Sequence, residues 1–454
     1  MSEKTLAFVW HCQKEAYDLI DRVLEDAKSK NHFLKKLEQE LLVQTSTRLF
    51  DWIDHVEIGY SDALYSELIK AGFQQVVVGA RVRVFDHPAA KLPLVVLKDH
   101  ALTFCAISIG VERIADFLLV RGMSATIEGE PFSHFRRAAV SKEQGVFVYV
   151  VERRGSLTVT CEPSSSQALQ NYCLALQKWQ TRARAFDDEL EEAEAMQQTL
   201  ELAQELVDLV GPSMSACIVL EVERAYWQAK NRAGQLQKNR QDSLGMGWAN
   251  HDHHTFRSSR KNFKNLVRLF EILGFTCRER FYAGKEAGWG AQVMEHATAR
   301  LVLFLDVDLA PDEVQIDFAH IALGEDKKLG TIGLWCALHG ESILKAGMHH
   351  LEAQFHFDKL GEDLAKEGIA MMAPFTNLAY LRQAFSVGEL WPVAPSRVHK
   401  LREKGAITDE QAARFVSSGA LGSHLENLER KEGYKGFHQQ SVSDIIHRTD
   451  PRGA

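Results

Sequence analysis

From residue 11 to 53 apolar positions recur every three or four residues. Tyr17, Leu19, Ile20, Val23 and Leu24 make one stripe; Phe33, Leu34, Leu37, Leu41, Leu42 and Leu49 make another, which predicts two helices. The period then drops to two. Asp54–Tyr60 alternates as a strand, Ser61–Gly72 reads as a helix closed by Gly72, and Gln74–Phe85 and Leu92–Leu97 are β-rich around the turn Asp86-His87-Pro88. The order is β-α-β-β-β. A second unit follows, with a strand at Ala101–Ile109, a helix at Val111–Gly122 and strands at Ala125–Ile127 and Val146–Glu152. Beyond the breaker Pro163-Ser164-Ser165-Ser166, the pattern is helical throughout: one long charged helix over Gln167–Val210 and a second over Ala216–Lys238.

The strand period returns at Asp252–Ser258. A helix with Phe263, Leu266, Leu269, Phe270 and Leu273 inward follows, then strands at Thr276–Tyr282, Gly290–Met294 and Leu301–Asp306. A fourth unit has a strand at His350–Phe357, a helix at Asp358–Gly368 and strands at Met371–Pro374 and Glu389–Val393. Pro395–Phe415 is helical, and the tail from Ser417 reads as loosely ordered. Two segments repeat in register: Val84-Phe85-Asp86-His87-Pro88-Ala89-Ala90-Lys91-Leu92 and Val293-Met294-Glu295-His296-Ala297-Thr298-Ala299-Arg300-Leu301, each after the same β-α-β-β pattern. The expected fold is therefore α+β: two tandem incomplete barrels of paired βαβββ modules, with helical segments before each and a helical C-terminal tail. The expected divisions are 1–50, 51–163, 164–246, 247–395 and 396–454, with the second barrel at 247–395.

Chemistry concentrates in Trp248–Arg257. On a strand, His253, Thr255 and Arg257 share one face and Asp252, His254 and Phe256 the other. An imidazole and a guanidinium on one face suit a metal beside a carboxylate-bearing substrate; a polar strand end with surface histidines is the plainer alternative. Composition narrows the field. At 454 residues, 45% hydrophobic and 25% charged, the chain can bury several cores, and a net charge of −8 gives no nucleic-acid footprint. No window reaches the apolar length of a membrane span, and early acidic residues speak against a signal peptide, so a cytoplasmic protein is expected. The seven cysteines form no C-x-x-C and are odd in number, which argues against a disulfide framework and leaves most of them as core residues.

These motifs resemble the vicinal oxygen chelate fold of glyoxalases and extradiol dioxygenases. More narrowly, DHHTFR, then a helix, then MEHATARLVLFLDVDL, is similar to the 2-oxoadipate dioxygenase/decarboxylase-like family, with its DHIAFR-type strand and EHPDPKLPKVFISEL-type hairpin. The likeness spans about residues 50–160 and 248–400, and Asp86-His87-Pro88-Ala89-Ala90-Lys91-Leu92-Pro93 is closer still to that hairpin. The resemblance implies Fe(II) held by two histidines and one carboxylate: His253 through the H-x-x-x-R spacing to Arg257, His350 in HHLEAQFHF, and Glu389 in GELWPV. Arg257 would hold a substrate carboxylate as Lys could not. His349 and His251 are the alternatives to His350 and His253; Glu295 is the alternative to Glu389, whose plain reading is a strand-end cap. The interval from His350 to Glu389 is shorter than in the family. In the N-terminal half, His55 stands where the first His belongs, but Gly59 replaces the Arg, Phe104 falls opposite His350, and Glu152 remains as a carboxylate, so that half reads as a degenerate copy serving structure or dimerisation. His11, His100, His320, His339 and His399 read as ordinary histidines.

The leading expectation is Fe(II)-dependent dioxygenation, with or without decarboxylation, of a small 2-oxo acid, with O2 as co-substrate and a homodimer compatible with the pattern. The alternatives are a glyoxalase-like Zn, Ni or Mn isomerase or lyase, and a non-catalytic metal- or ligand-binding protein. Facial iron sites favour two histidines and one carboxylate; isomerases of this fold more often use two carboxylates.

Overall fold

The computed structural model describes residues 9–79, 82–99, 105–184, 189–324, 328–437 and 449–453. The chain opens with α1 (Lys14–Lys30) and α2 (His32–Glu40). The first module pair is β1 (Ile53–Gly59), α3 (Asp62–Lys70), β2 (Gln74–Val78), β3 (Val82–Asp86), β4 (Leu94–Lys98), β5 (Cys105–Gly110), α4 (Ile114–Val120), β6 (Ile127–Glu128), β7 (Phe135–Glu143) and β8 (Val146–Arg153). Four helices follow: α5 (Ser166–Thr181), α6 (Glu189–Val210), α7 (Pro212–Gln228) and α8 (Arg232–Asp242). The second pair is β9 (His251–Arg257), α9 (Phe263–Ile272), β10 (Thr276–Tyr282), β11 (Trp289–His296), β12 (Leu301–Asp308), α10 (Thr331–His339), β13 (His350–Gln354), α11 (Phe357–Lys366), β14 (Thr376–Leu378) and β15 (Leu381–Phe385). An excursion through β16 (Leu390–Trp391), α12 (Pro395–Glu403), α13 (Asp409–Ser418) and β17 (Ala420–Leu421) then leads to β18 (His424–Arg430).

Each pair forms one eight-stranded mixed sheet. The orders are β2-β3-β4-β1-β5-β8-β7-β6 and β10-β11-β12-β9-β13-β18-β15-β14, the same path twice with β18 in the place of β8. First strands run antiparallel to the strands that open the second modules, β1 to β5 and β9 to β13. Register fixes the equivalences. His55 faces Ser108 and Val56 faces Ile107, as His253 faces Glu352 and His254 faces Leu351. Ser108 in turn faces Tyr149, as Glu352 faces Glu426.

The helices bury the outer faces of these sheets. Along α9 the spacing of Phe263, Leu266, Val267, Leu269 and Phe270 puts all five on one buried side, against Leu206 of the helical block and Leu303 and Leu305 of β12. Each such side chain contributes roughly 1.5–3 kcal/mol on leaving water. A matching core under the first sheet joins Leu19, Ile20, Leu24, Leu34 and Leu37 to Val56, Val95, Ile107 and Val148. The halves touch through their repeated hairpins, where the Arg300 guanidinium donates to the Leu92 carbonyl. The segment after β18 straps them together: Lys91 N–H donates to the Gly433 carbonyl (3.1 Å), and the Lys435 ammonium donates to the Pro88 carbonyl (2.9 Å) while pairing with Glu295 (2.7 Å).

The structure corrects several expectations. The helix expected over 167–210 is two, α5 and α6, and that over 216–238 is also two, because Asn231 accepts a hydrogen bond from Gly234 N–H (2.7 Å) and starts α8 afresh. The helix expected over 395–415 divides at Gly405, whose φ of +67° a helix interior does not use. Strands β7, β14 and β15 fall outside the expected ones, and the strand expected at Met371–Pro374 is only an isolated bridge from Met371 to Ser386. The tail is the largest correction: 424–430 is a central strand, so the second sheet runs past residue 395 and the C-terminal segment is not simply helical. All seven cysteines are free, yet Cys336 alone is buried and Cys173 and Cys277 are exposed. Residues 100–104, including His100 and Phe104, lie outside the described residues. Register puts Ala106, paired with Phe147, at the place that His350, paired with His424, holds in the second sheet. Glu152 is no free carboxylate: it accepts from Ile114 N–H at the start of α4 (2.7 Å) and pairs with Arg154 (2.8 Å) and Arg136 (3.2 Å).

Candidate metal centre

Three adjacent central strands, β9, β13 and β18, present polar side chains to the concave face of the second sheet. Alternation puts His253, Thr255 and Arg257 there from β9, His350 and Glu352 from β13, and His424 and Glu426 from β18. The pairing His253–Glu352–Glu426 across the ladder brings three ligand-type groups side by side, with donor atoms within 4.8 Å of one another. His253 Nε2 lies 2.8 Å from Glu352 Oε1, His350 Nε2 lies 2.6 Å from the same oxygen, and His350 Nε2 is 3.7 Å from Glu426 Oε2. Two imidazoles and two carboxylates converge in a space buried from solvent.

Supporting contacts orient the set. Asp252 Oδ2 holds His253 Nδ1 at 3.0 Å, leaving Nε2 toward the centre, and Arg430 holds Asp252 (3.1 Å). The Thr255 hydroxyl donates to Glu352 (2.8 Å) and the Gln383 amide to Glu426 (2.7 Å). Burial pushes His253 down to about 4, against the pull of Asp252, and His350 well below the usual imidazole range, so both rings are neutral with a lone pair to give. Burial, then the neighbouring Glu426, pushes Glu352 well above the usual carboxylate range; burial pushes Glu426 up to about 7. Glu352 Oε2 is buried with no hydrogen-bond partner among the described residues. Neutral imidazoles beside carboxylates that resist ionising are what a divalent cation resolves, so the residues fit a metal.

Arg257 ends β9 beside this set. Its guanidinium is buried over the Trp335 ring (5.5 Å), with Asp306 Oδ2 3.7 Å from Nε; Nε and Nη1 have no hydrogen-bond partner among the described residues. Burial lifts Asp306 to about 7 despite Arg257. A cavity of about 70 Å3 touches His253, Arg257, His350, Glu352 and Glu426 and is walled by aromatic rings, with Phe437 of the strap 4.8 Å from the His253 ring. Its space is on the order of five water molecules at roughly 10–15 Å3 each.

Of the residues expected from the sequence, the structure brings together His253, His350 and Arg257. It does not bring Glu389 there: that carboxylate accepts from Arg232 N–H at the start of α8, a capping role. Glu295 is also elsewhere, paired with Lys435 and, at 3.7 Å, Arg278. His349 lines the same cavity, but its Nδ1 meets His350 Nδ1 (2.6 Å) and its ring lies edge-on to Trp335. His251 is turned away by a bulge in the β9–β13 ladder and bonds the Trp248 carbonyl through Nδ1 (2.8 Å). Glu352, Glu426 and His424 were missed. Their signal is the paired spacing His350-x-Glu352 and His424-x-Glu426, which becomes visible only once both segments are known to be strands.

No family model and no curated protein sequence matches this chain. Solved structures similar to it include a protein of Shewanella frigidimarina (14% identity; 54% of this chain, 96% of that one; TM-score 0.31), a 4-hydroxymandelate synthase mutant of Streptomyces coelicolor (10%; 88% and 98%; 0.30) and a Mn(II)-bound glyoxalase of Novosphingobium aromaticivorans (10%; 84% and 82%; 0.20). With its twice-repeated strand order and paired βαβββ modules, the chain has the vicinal oxygen chelate fold.

Proposed function

We propose that this chain is a metal-dependent oxygenase that holds Fe(II) with His253, His350 and Glu426 and acts on a small 2-oxo acid, with or without loss of CO2. The carrying observation is the buried cluster of His253, Glu352 and Glu426, joined by His350 (2.6 Å from Glu352, 3.7 Å from Glu426), beside Arg257, whose Nε and Nη1 have no partner among the described residues and which lines the same cavity. Bound there, Fe(II) supplies a Lewis acid for the 2-oxo group and the redox capacity that O2 chemistry needs. The chain does the rest. Arg257 offers two parallel N–H donors to a carboxylate and fixes which end of the substrate faces the donors. Gln383 and Asp252 hold Glu426 and His253 in place. Phe304, Phe437 and Phe385 keep water from the reacting end. The small cavity suits a short-chain acid.

One observation favours a second reading. Glu352 adds a second carboxylate to the set, and two carboxylates with two imidazoles suit Zn, Ni or Mn isomerase or lyase chemistry. The deciding experiment is metal analysis of protein purified without chelator, followed by anaerobic loading with Fe(II) or Mn(II) and O2-electrode assays over a panel of 2-oxo acids. O2 uptake that depends on Fe(II) and on an added acid supports the oxygenase. Metal bound without O2 uptake turns the reading to the isomerase. No metal in any preparation leaves a ligand-binding protein.

A further inference from the structure

A second cavity, about 250 Å3, lies between the two halves rather than within either sheet. The N-terminal half contributes Lys91 from its hairpin, the helical block Arg224 from α7, and the C-terminal half His251 and Arg430. Most charges here are matched. Arg153 grips Asp54 through two 2.7 Å contacts, Glu152 is held by Arg154, Asp51 by Arg48, and Glu112 by Lys238. Two cations are not. The Lys91 ammonium has no hydrogen bond or ion pair among the described residues; it is drawn out of water, and the carboxylates Asp252 and Glu295 act on it from a distance beside the cations Arg300 and Arg430. Among the described residues the Arg224 guanidinium hydrogen-bonds only a neutral imidazole, His254 Nε2 at 3.1 Å, and its Nε is buried with no partner, while Glu112 feels its charge without a contact. Against them stands a single lining carboxylate that makes no ion pair among the described residues, Glu221. His251 lines the same cavity; its ring gives Nδ1 to the Trp248 carbonyl and keeps Nε2 as an acceptor.

Both side chains are half-buried, and two cations without an ion-pair partner drawn part-way out of water in one cavity favour a counter-ion. We infer that the space between the halves is a binding site for a small polyanion, a phosphate or polycarboxylate, held by Lys91 and Arg224 with a ligand hydroxyl on His251 Nε2. The site is separate from the metal-type centre yet wired to it. Arg430 lines this cavity and holds Asp252, and Asp252 holds His253. Taken with the metal-centre reading, an anion that draws on Arg430 changes how firmly His253 is set. The site is thus placed to act as an effector site.

Calorimetric titration of the full, metal-free chain with inorganic phosphate and, separately, succinate tests the binding. Saturable binding is expected, weakened about tenfold or more in Lys91→Met and in Arg224→Gln, and unchanged in His350→Ala, which touches only the metal-type centre. Binding of phosphate alone or succinate alone identifies the ligand class. A measurement on the wild type covers the case in which a variant does not fold: the bound anion should slow acetylation of Lys91, read by peptide mass spectrometry, several-fold relative to Lys435. Absence of binding by both anions, or binding that leaves Lys91 acetylation unprotected, overturns the proposal. Metal content is not the readout, so failure of the oxygenase reading leaves this test intact.

Discussion

His55 and His253 stand at the same position of the two sheets and are driven in opposite directions. His55 is gripped by Asp54 Oδ1 (2.5 Å) and Glu57 Oε1 (3.2 Å), which outweigh the cost of burial and hold its pKa above the ordinary imidazole value. His253 also sits between two carboxylates, Asp252 (3.0 Å) and Glu352 (2.8 Å), but Glu352 itself resists ionising, and burial takes His253 down to about 4. Across the ladder His55 meets Ser108 where His253 meets Glu352. One half holds its histidine in an internal ion pair; the other keeps it as a neutral donor.

The first prediction separates ligands from neighbours. His253→Ala, His350→Ala and Glu426→Gln should each lose nearly all bound metal, as removal of one of three ligands does. Glu389→Ala should keep metal at the wild-type level and lose about 1 kcal/mol of stability with its contact to Arg232 N–H. Elemental analysis beside thermal melts reads both. Loss of metal in Glu389→Ala would return that residue to the site.

A pH test follows from Glu426. Its folded pKa, about 7, lies above the ordinary carboxylate value of 4.5, so the proton it carries stabilises the fold fully below pH 4.5, and this contribution fades as pH rises through 7. Metal-free Glu426→Gln, which mimics the protonated form, should therefore gain on wild type between pH 4.5 and 7, by on the order of 1–3 kcal/mol, and hold that lead above. Melts of both proteins across this range check it; a difference that does not vary with pH would contradict the shift. Metal affinity of the wild type should rise over the same window, because the metal needs the carboxylate ionised.

Arg257→Lys should leave metal content unchanged and raise KM for the 2-oxo acid by about tenfold or more, since a point charge cannot replace two parallel donors. Steady-state kinetics on the loaded enzyme decide this. An unchanged KM would remove Arg257 from substrate binding.

Phe437 covers His253 and Phe304 from the strap. Phe437→Ala should lower stability by roughly 1–3 kcal/mol, less than for a fully buried ring, and quicken metal release to a chelator several-fold. Stopped-flow chelation gives the rate. A rate equal to wild type would mean the strap does not close the cavity.

The periodic parts of the fold were legible. Amphipathic α9, the alternation of β9 and the repeated hairpin carry their structure in residue spacing, and the expected His253, Arg257 and His350 do line one cavity. What failed has a common cause. Strand β18 reads His-Leu-Glu-Asn-Leu-Glu-Arg, and all seven residues are buried. A strand whose buried face is polar because it lines a site lacks the apolar period that betrays strands elsewhere, and Glu426 went with it. Glu389 was drawn in because it lies in a short β-like run, yet Leu390–Trp391 pairs only with Ala420–Leu421, away from the main sheet. Helix breaks at Asn231 and Gly405 are local capping events inside runs whose apolar period continues across them.

Residues 386–423 occupy the place that Gln144 and Gly145 hold in the first half, between two strands that stay on adjacent rungs: Phe385 still meets Glu426. An excursion that leaves and returns at neighbouring points costs chain entropy that grows only slowly with its length. It carries Trp391, which packs against Trp335, the ring under Arg257. The molecule therefore holds an exchangeable cassette next to the end of the substrate that Arg257 would grasp. On the proposed reading, exchanging this one block beyond Ser386, which anchors His424 and Leu425, would reset selectivity while the strands that bear the metal-type donors stay in place.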